Sequence, residues 1–172
     1  SRQLLQVVID TAPVRIFWKD SELRYLGANP LFTQDAGLTD PKSLIGKSDF
    51  ELPWSDRAEA YRADDLQVMR TGEPKLFYEE QLTRPDGSTI WLRTSKVPLR
   101  GADGAVFGLL GVYEDITASR QTELALQASE ARFRQLFHHA PLPQALVDAS
   151  GCVVDLNERF TQAIGYTLAD LA

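Results

Sequence analysis

Few side chains in this 172-residue sequence have both the type and the spacing for chemistry. Its single cysteine, Cys152, cannot close an intramolecular disulfide, and the strand-like run from Cys152 to Leu156 predicts a buried, inert thiol. His138 and His139 are adjacent and distant from most carboxylates, so the spacing of a tetrahedral metal site is absent and they read as a polar helix end. No Ser/His/Asp set, cysteine–histidine pair or phosphate-binding loop is present, so this segment is not expected to be an enzyme. Binding is the chemistry that remains. Trp18, Tyr25, Phe50, Trp54, Tyr61, Phe77 and Trp91 could line a small-molecule cavity, since such pockets are mainly apolar with a few aimed polar groups. Arg62, Lys47 and Arg93 could anchor an anion there. The competing reading is that the aromatics fill the core and the bases are solvated surface. Asp115, Ile116 and Thr117 sit where a strand gives way to a helix. There Thr117 can cap the helix, and the Asp115 carboxylate can hold a nearby donor through a charge-assisted bond of about 1.5–3 kcal/mol.

The elements that position these residues must come from a chain that is 44% hydrophobic, enough for a core and against disorder. It has 18 basic and 24 acidic residues, a net charge of −6, and no Lys/Arg cluster, which disfavours nucleic-acid binding. The longest uncharged apolar stretch, Gly104 to Tyr113, is far short of the roughly 18–20 residues that span a bilayer. No membrane span and no signal peptide are therefore expected, and the segment reads as cytoplasmic, compatible with an anchor elsewhere in a longer protein.

Shifting the sequence by 128 positions places Ala12-Pro13 on Ala140-Pro141, Asp20 on Asp148 and Asn29 on Asn157. The match continues with Phe32-Thr33-Gln34 on Phe160-Thr161-Gln162, Gly37 on Gly165 and Thr39 on Thr167. Leu5, Val8 and Ile9 fall on Phe133, Leu136 and Phe137, apolar at helical spacing in both copies. A period this long marks two tandem domains, the second covering only the first third of the repeat, so the chain is expected to be a piece of a longer protein.

The pattern predicts a helix over about 2–10, ended by Ala12-Pro13, and a hairpin of strands over 14–19 and 23–28. Asn29-Pro30 reads as helix cap and first helical residue, and Gly37 as the stop. Ser48 to Glu51 fits a capping box, followed by helix formers from about 55 to 71 with Gly72 as the stop. Strands over 75–83, 89–99 and 105–116 are separated by Asp-Gly turns, which makes a meander. A helix over 119–137 then runs into the second copy, whose hairpin is predicted at 144–147 and 152–156. An antiparallel sheet with helices against one face buries such a set most economically, so the fold class is α+β.

In this order the chain resembles a PAS domain, the sensor module of bacterial signalling proteins, over residues 1–118, then a linker helix at 119–137 and an incomplete second PAS domain at 138–172. Asn29-Pro30-Leu31-Phe32 resembles the family's Asn-Pro-x-Phe helix entry, and Ile45-Gly46-Lys47-Ser48-Asp49 its Gly-Lys-Ser/Thr-Asp segment. Arg70-Thr71-Gly72-Glu73-Pro74 precedes the meander, and Asp115-Ile116-Thr117 is similar to the Asp-Ile-Thr exit motif. In the second copy Asn157 and Phe160 remain but the proline does not. The resemblance implies a five-stranded sheet and a sensory or relay role. Such a module would bind a small ligand or relay strain through Asp115, Ile116 and Thr117 and the linker helix to a C-terminal output domain such as a histidine kinase or a cyclic-di-GMP enzyme. A homodimer through the flanking helices is implied as well. The alternative is a constitutive dimerisation or protein-interaction module without ligand. The cofactor is left open: the first copy has no cysteine for light-driven flavin adduct chemistry and no histidine in its long helix for haem. The His138-His139 pair lacks the acidic residue that normally follows a phospho-acceptor histidine.

Overall fold

The computed structural model describes residues 1–171; Ala172, the end of the expected second copy, lies outside them. Two compact units divide after Ala118.

The first unit opens with helix α1 (Arg2–Thr11), which stops because Pro13 forces Ala12 into an extended conformation, φ −60° and ψ 131°. Strands β1 (Arg15–Asp20) and β2 (Tyr25–Ala28) form the hairpin. The Asp20 carboxylate accepts the Glu22 and Arg24 amides in its turn. Helix α2 (Pro30–Asp35) begins at Asn29, whose side chain ties four segments together. Its oxygen accepts the amides of Phe32 and Ile16, and its nitrogen donates to the carbonyls of Val14 and Ile9. The capping box is present, with Glu51 accepting the Ser48 amide at 2.8 Å. It closes only a 3-10 turn, Asp49–Glu51, rather than a long helix. Ser55–Arg57 is a second 3-10 turn, so helix α3 (Ala58–Thr71) starts later than the sequence predicts. It ends at left-handed Gly72, φ +68°, a conformation glycine adopts without a Cβ penalty.

The meander follows as β3 (Lys75–Thr83), β4 (Thr89–Arg100) and β5 (Val106–Asp115). The five strands are antiparallel in the order β2-β1-β5-β4-β3. The last strand thus lies at the centre, beside the first. Period-2 alternation turns Phe17 and Lys19 of β1, Ile90, Leu92, Thr94 and Lys96 of β4, and Leu109 and Tyr113 of β5 into the interior. There they meet Phe32 of α2 and Trp54, whose ring centroids are 5.5 Å apart. Gly111 faces Phe17 across β1 and β5, and a Cβ at Gly111 would strike the Phe17 ring.

Helix α4 (Thr117–His138) leads into the second unit, which continues with β6 (Ala145–Val147), β7 (Val153–Leu156), α5 (Glu158–Ile164) and α6 (Leu168–Leu171). Asn157 repeats the Asn29 network at the same shift of 128: its oxygen accepts the Gln144 and Phe160 amides, and its nitrogen donates to the Leu142 carbonyl. Cys152 departs from the sequence reading. It is exposed, because the turn from Asp148 extends through it and its amide donates to the Asp148 carboxylate, so β7 starts one residue later. Among the described residues no helix is long and apolar enough to cross a membrane.

Candidate functional site

Between the helices and the sheet of the first unit lies a cavity of about 30 Å³, room for one or two waters. One wall is aromatic, built from Phe17, Tyr25, Phe32, Trp54 and Tyr113. The other is ionic.

Lys19 Nζ donates to Asp49 Oδ2 at 2.5 Å and to Asp65 Oδ2 at 2.7 Å. Lys96 Nζ lies 2.5 Å from Asp65 Oδ1 and donates to the Tyr61 carbonyl at 3.3 Å. Asp49 Oδ1 also accepts the Tyr25 hydroxyl at 2.7 Å and the Trp54 indole at 3.1 Å. All four charged residues are at most 2% exposed. Four charges on β1, β4, α3 and the Asp49–Glu51 turn therefore neutralise one another inside the core. Desolvation works against such a cluster, and only mutual pairing offsets it. Burial alone would raise the Asp49 pKa, but the Lys19 charge, with the hydrogen bonds from Lys19, Tyr25 and Trp54, holds it below the usual carboxylate range. Glu80 of β3 goes the other way: burial raises its pKa and the Lys96 charge only partly opposes this. Tyr61 also lines the cavity, its hydroxyl donating to the Gln81 carbonyl and so joining α3 to β3.

Of the residues proposed from sequence for a pocket, Tyr25, Trp54 and Tyr61 line this cavity and the other five do not. Trp18 is one residue out of phase with Phe17 and Lys19, so its ring lies over Gly27 on the opposite face. Trp91 is likewise out of phase with the inward Ile90 and Leu92. Phe77 is 73% exposed, carried outward by a bulge in β3 where its φ is +54°. Phe50 is exposed under the Arg62 guanidinium, 5.5 Å from its ring centroid, and Arg62 donates to the Leu23 carbonyl outside the cavity. Of the bases weighed as anion anchors, neither Lys47 nor Arg93 lines the cavity, and Arg93 pairs with Glu114 on the surface at 3.2 Å. Lys19, Asp49, Asp65, Glu80 and Lys96 were not among the sequence candidates. Their signal was positional: Lys19 is two residues from Phe17, and Lys96 two from Thr94, on the inward face of their strands.

A second polar chain starts in the cavity and leaves it. The Tyr113 hydroxyl donates to Asp35 Oδ2 at 3.1 Å, and Arg15 Nε donates to the same oxygen at 3.0 Å. Arg84 Nε lies 3.7 Å from Asp35 Oδ1, and Arg84 Nη2 donates to Asp115 Oδ2 at 3.2 Å. Asp115 Oδ1 accepts the Thr117 amide at 2.9 Å, and Thr117 Oγ1 accepts the Trp91 amide at 2.9 Å. Burial pushes the Asp115 pKa up, but the hydrogen bonds from Thr117 and the Arg84 charge bring it below the usual value. Asp115 thus holds a backbone donor at the first turn of α4, as the sequence suggested, whereas Thr117, read there as a cap, is the first residue of the helix and its hydroxyl accepts from β4. Asp35, Arg84 and Tyr113 are partners the sequence did not reveal.

The family model described as the PAS fold matches residues 9–121, and a PAS domain model matches residues 131–172. The methanogenesis regulatory histidine kinase FilI of Methanothrix harundinacea is 30% identical over 155 residues, 86% of this chain and 17% of that protein. A diguanylate cyclase of Vibrio cholerae is 34% identical over 115 residues, 66% of this chain and 36% of that protein. The uncharacterized protein y4lL of Sinorhizobium fredii is 29% identical over 163 residues, 94% of this chain and 19% of that protein. The chain therefore spans between about a sixth and about a third of these relatives. Among solved structures, one chain of the Vibrio cholerae VqmA dimer superposes with a TM-score of 0.63 at 23% identity, covering 69% of this chain and 52% of that one. A PAS domain from Colwellia psychrerythraea gives 0.58 at 19% identity, covering 68% and 98%. Fold, family models and relatives agree: the chain belongs to the PAS family, the sensory modules of signalling proteins.

Proposed function

We propose that the first unit senses a small molecule in its cavity and relays occupancy through the Asp115-Ile116-Thr117 junction into α4, and from there to an output domain outside this chain. The observation that carries this reading is the polar chain from Tyr113, a cavity residue, through Asp35 and Arg84 to Asp115 and Thr117. Three of its links are hydrogen bonds and the fourth, Arg84 to Asp35, is an ion pair at 3.7 Å, so a shift of Tyr113 changes the partners available to Asp115. A coupling of about 1–3 kcal/mol is enough to bias a two-state output by roughly 5- to 150-fold.

The named activities of FilI and of the diguanylate cyclase support a kinase or a cyclic-di-GMP enzyme as that output. A cytoplasmic homodimer through the flanking helices completes the reading. Its support is the face of α1 formed by Leu4, Leu5, Val7 and Val8, each more than half exposed in the single chain. The small size of the cavity favours a second reading, a constitutive interaction module with a filled core.

Asp115→Ala in the full-length protein separates the two. On the sensing reading the variant folds but its output no longer follows the stimulus; regulation identical to wild type discards the relay.

A further inference from the structure

We infer that α3 is a hinged strap over the cavity, latched to the sheet by the Asp65 carboxylate, and that it lifts within the folded unit to admit ligand. This deepens the sensing reading and rests on it for what enters.

The cavity of about 30 Å³ takes one or two waters, whereas small-molecule sites run to about 300 Å³ or more, so a sensed molecule needs a wall that can move. The aromatic wall is not that wall. The rings of Phe17, Phe32 and Tyr113 pack on one another with centroids 5.0–6.4 Å apart, and parting them exposes apolar surface to water.

Helix α3 meets the sheet differently. The residues it buries are Ala58, Asp65 and Val68, with Tyr61 and Met69 partly covered. What ties it down is polar. Asp65 Oδ2 accepts Lys19 of β1 at 2.7 Å and Asp65 Oδ1 lies 2.5 Å from Lys96 Nζ of β4, so one side chain of α3 holds both lysines. Lys96 also donates to the Tyr61 carbonyl, the Tyr61 hydroxyl donates to the Gln81 carbonyl, and Lys75 donates to Asp64 at 2.8 Å. Pairing inside a core roughly offsets the desolvation of the charges, so lifting α3 exchanges ion pairs for hydration at small net cost. Lifting an apolar helix would forfeit its burial outright. Lys19 keeps Asp49 at 2.5 Å when Asp65 leaves. Both ends of α3 can act as hinges: it follows the 3-10 turn Ser55–Arg57 and stops at left-handed Gly72, with Glu73 and Pro74 next.

The test is thiol labelling of the folded, ligand-free 172-residue chain, with the exposed Cys152 replaced by serine. Cysteines are placed one at a time: Val68→Cys on the buried face of α3, Thr94→Cys in the cavity wall on β4, and Ala28→Cys on β2 at the far edge of the sheet. Each labelling rate is compared with the rate that the same variant's urea unfolding allows. Val68→Cys and Thr94→Cys are expected to label at least about tenfold faster than global unfolding permits, and Ala28→Cys no faster. Tyr61→Phe cuts one tie and leaves every charge paired, and is expected to speed both by at least about threefold; Asp65→Asn cuts the latch and is expected to speed them more. Val68→Cys labelled at its global rate overturns the strap. So does fast labelling of Val68→Cys with Thr94→Cys at its global rate, because α3 then loosens without uncovering the cavity. Ala28→Cys labelled as fast as Val68→Cys overturns it too, since the whole unit then opens, and an Asp65→Asn rate no higher than that of Tyr61→Phe overturns the latch. No arm contains ligand, so the sensing reading stands or falls separately, on Asp115→Ala.

Discussion

The hydroxyl of Tyr113 reaches across 78 residues of sequence to donate a hydrogen bond to Asp35 at 3.1 Å. It is the point at which the cavity meets the polar chain to the start of α4. Tyr113 lies on β5, the central strand, two residues before Asp115, so one strand carries both a cavity wall and the exit motif. Asp35 is 5% exposed and holds Arg15 and Arg84 together with Tyr113, which keeps its carboxylate paired on both oxygens.

The ionic wall makes a stability prediction. Lys19→Met leaves Asp49 without its ammonium partner and Asp65 with only Lys96, and is expected to cost about 3–5 kcal/mol. Adding Asp49→Asn removes the uncompensated charge, so the double variant is expected to regain at least about 1 kcal/mol over the single one. Urea unfolding measures both. A double variant that is simply the sum of two losses would show that the pair is not electrostatically coupled.

How much of this was legible beforehand depends on what each feature rests on. The sheet, its turns and the Asn29 and Asn157 caps follow from local chemistry: periodicity, Asp-Gly turns, and asparagine at a helix start. They were readable from sequence, as was the repeat. The cavity residues depend on which face of a strand each side chain takes. Residue type alone points to Trp18, Trp91 and Phe77, whereas strand phase and the β3 bulge place them outside. Phase also held the missed signal, because Lys19 and Lys96 occupy inward positions where an apolar residue is expected. Asp35, Asp65 and Arg84 had no local signal, since their partners are 20 to 78 residues distant.

Two carboxyls should shape the pH dependence in opposite directions. Glu80 has a raised pKa in the folded state, so the native protein binds more protons and stability falls as pH rises from about 4.3, its unfolded value, through the raised one. Asp49 has a lowered pKa, so its stabilisation is present above about 3.9 and is lost as pH falls through its folded value. Thermal unfolding from pH 3 to 8 is expected to show the loss on the alkaline side flatten in Glu80→Gln while the acid side is unchanged. An unaltered alkaline limb would assign that proton elsewhere.

The uncovered face of α1 predicts an effect on assembly. Val8→Glu places a charge in the middle of the apolar face and is expected to weaken dimerisation by at least about tenfold while leaving the unit folded, because α1 contributes no buried residue. Light scattering across a concentration series measures it. A dimer as tight as wild type would remove α1 from the interface.

The relay itself is tested most directly by hydrogen exchange at the Thr117 amide, which Asp115 accepts at 2.9 Å. Tyr113→Phe removes only a hydroxyl from the cavity wall, at the far end of the polar chain. If the chain couples the two ends, Thr117 and the first turn of α4 exchange at least about fivefold faster in the variant, the low end of an ordinary coupling energy, after correction for global stability. Exchange at Thr117 equal to wild type would contradict the relay.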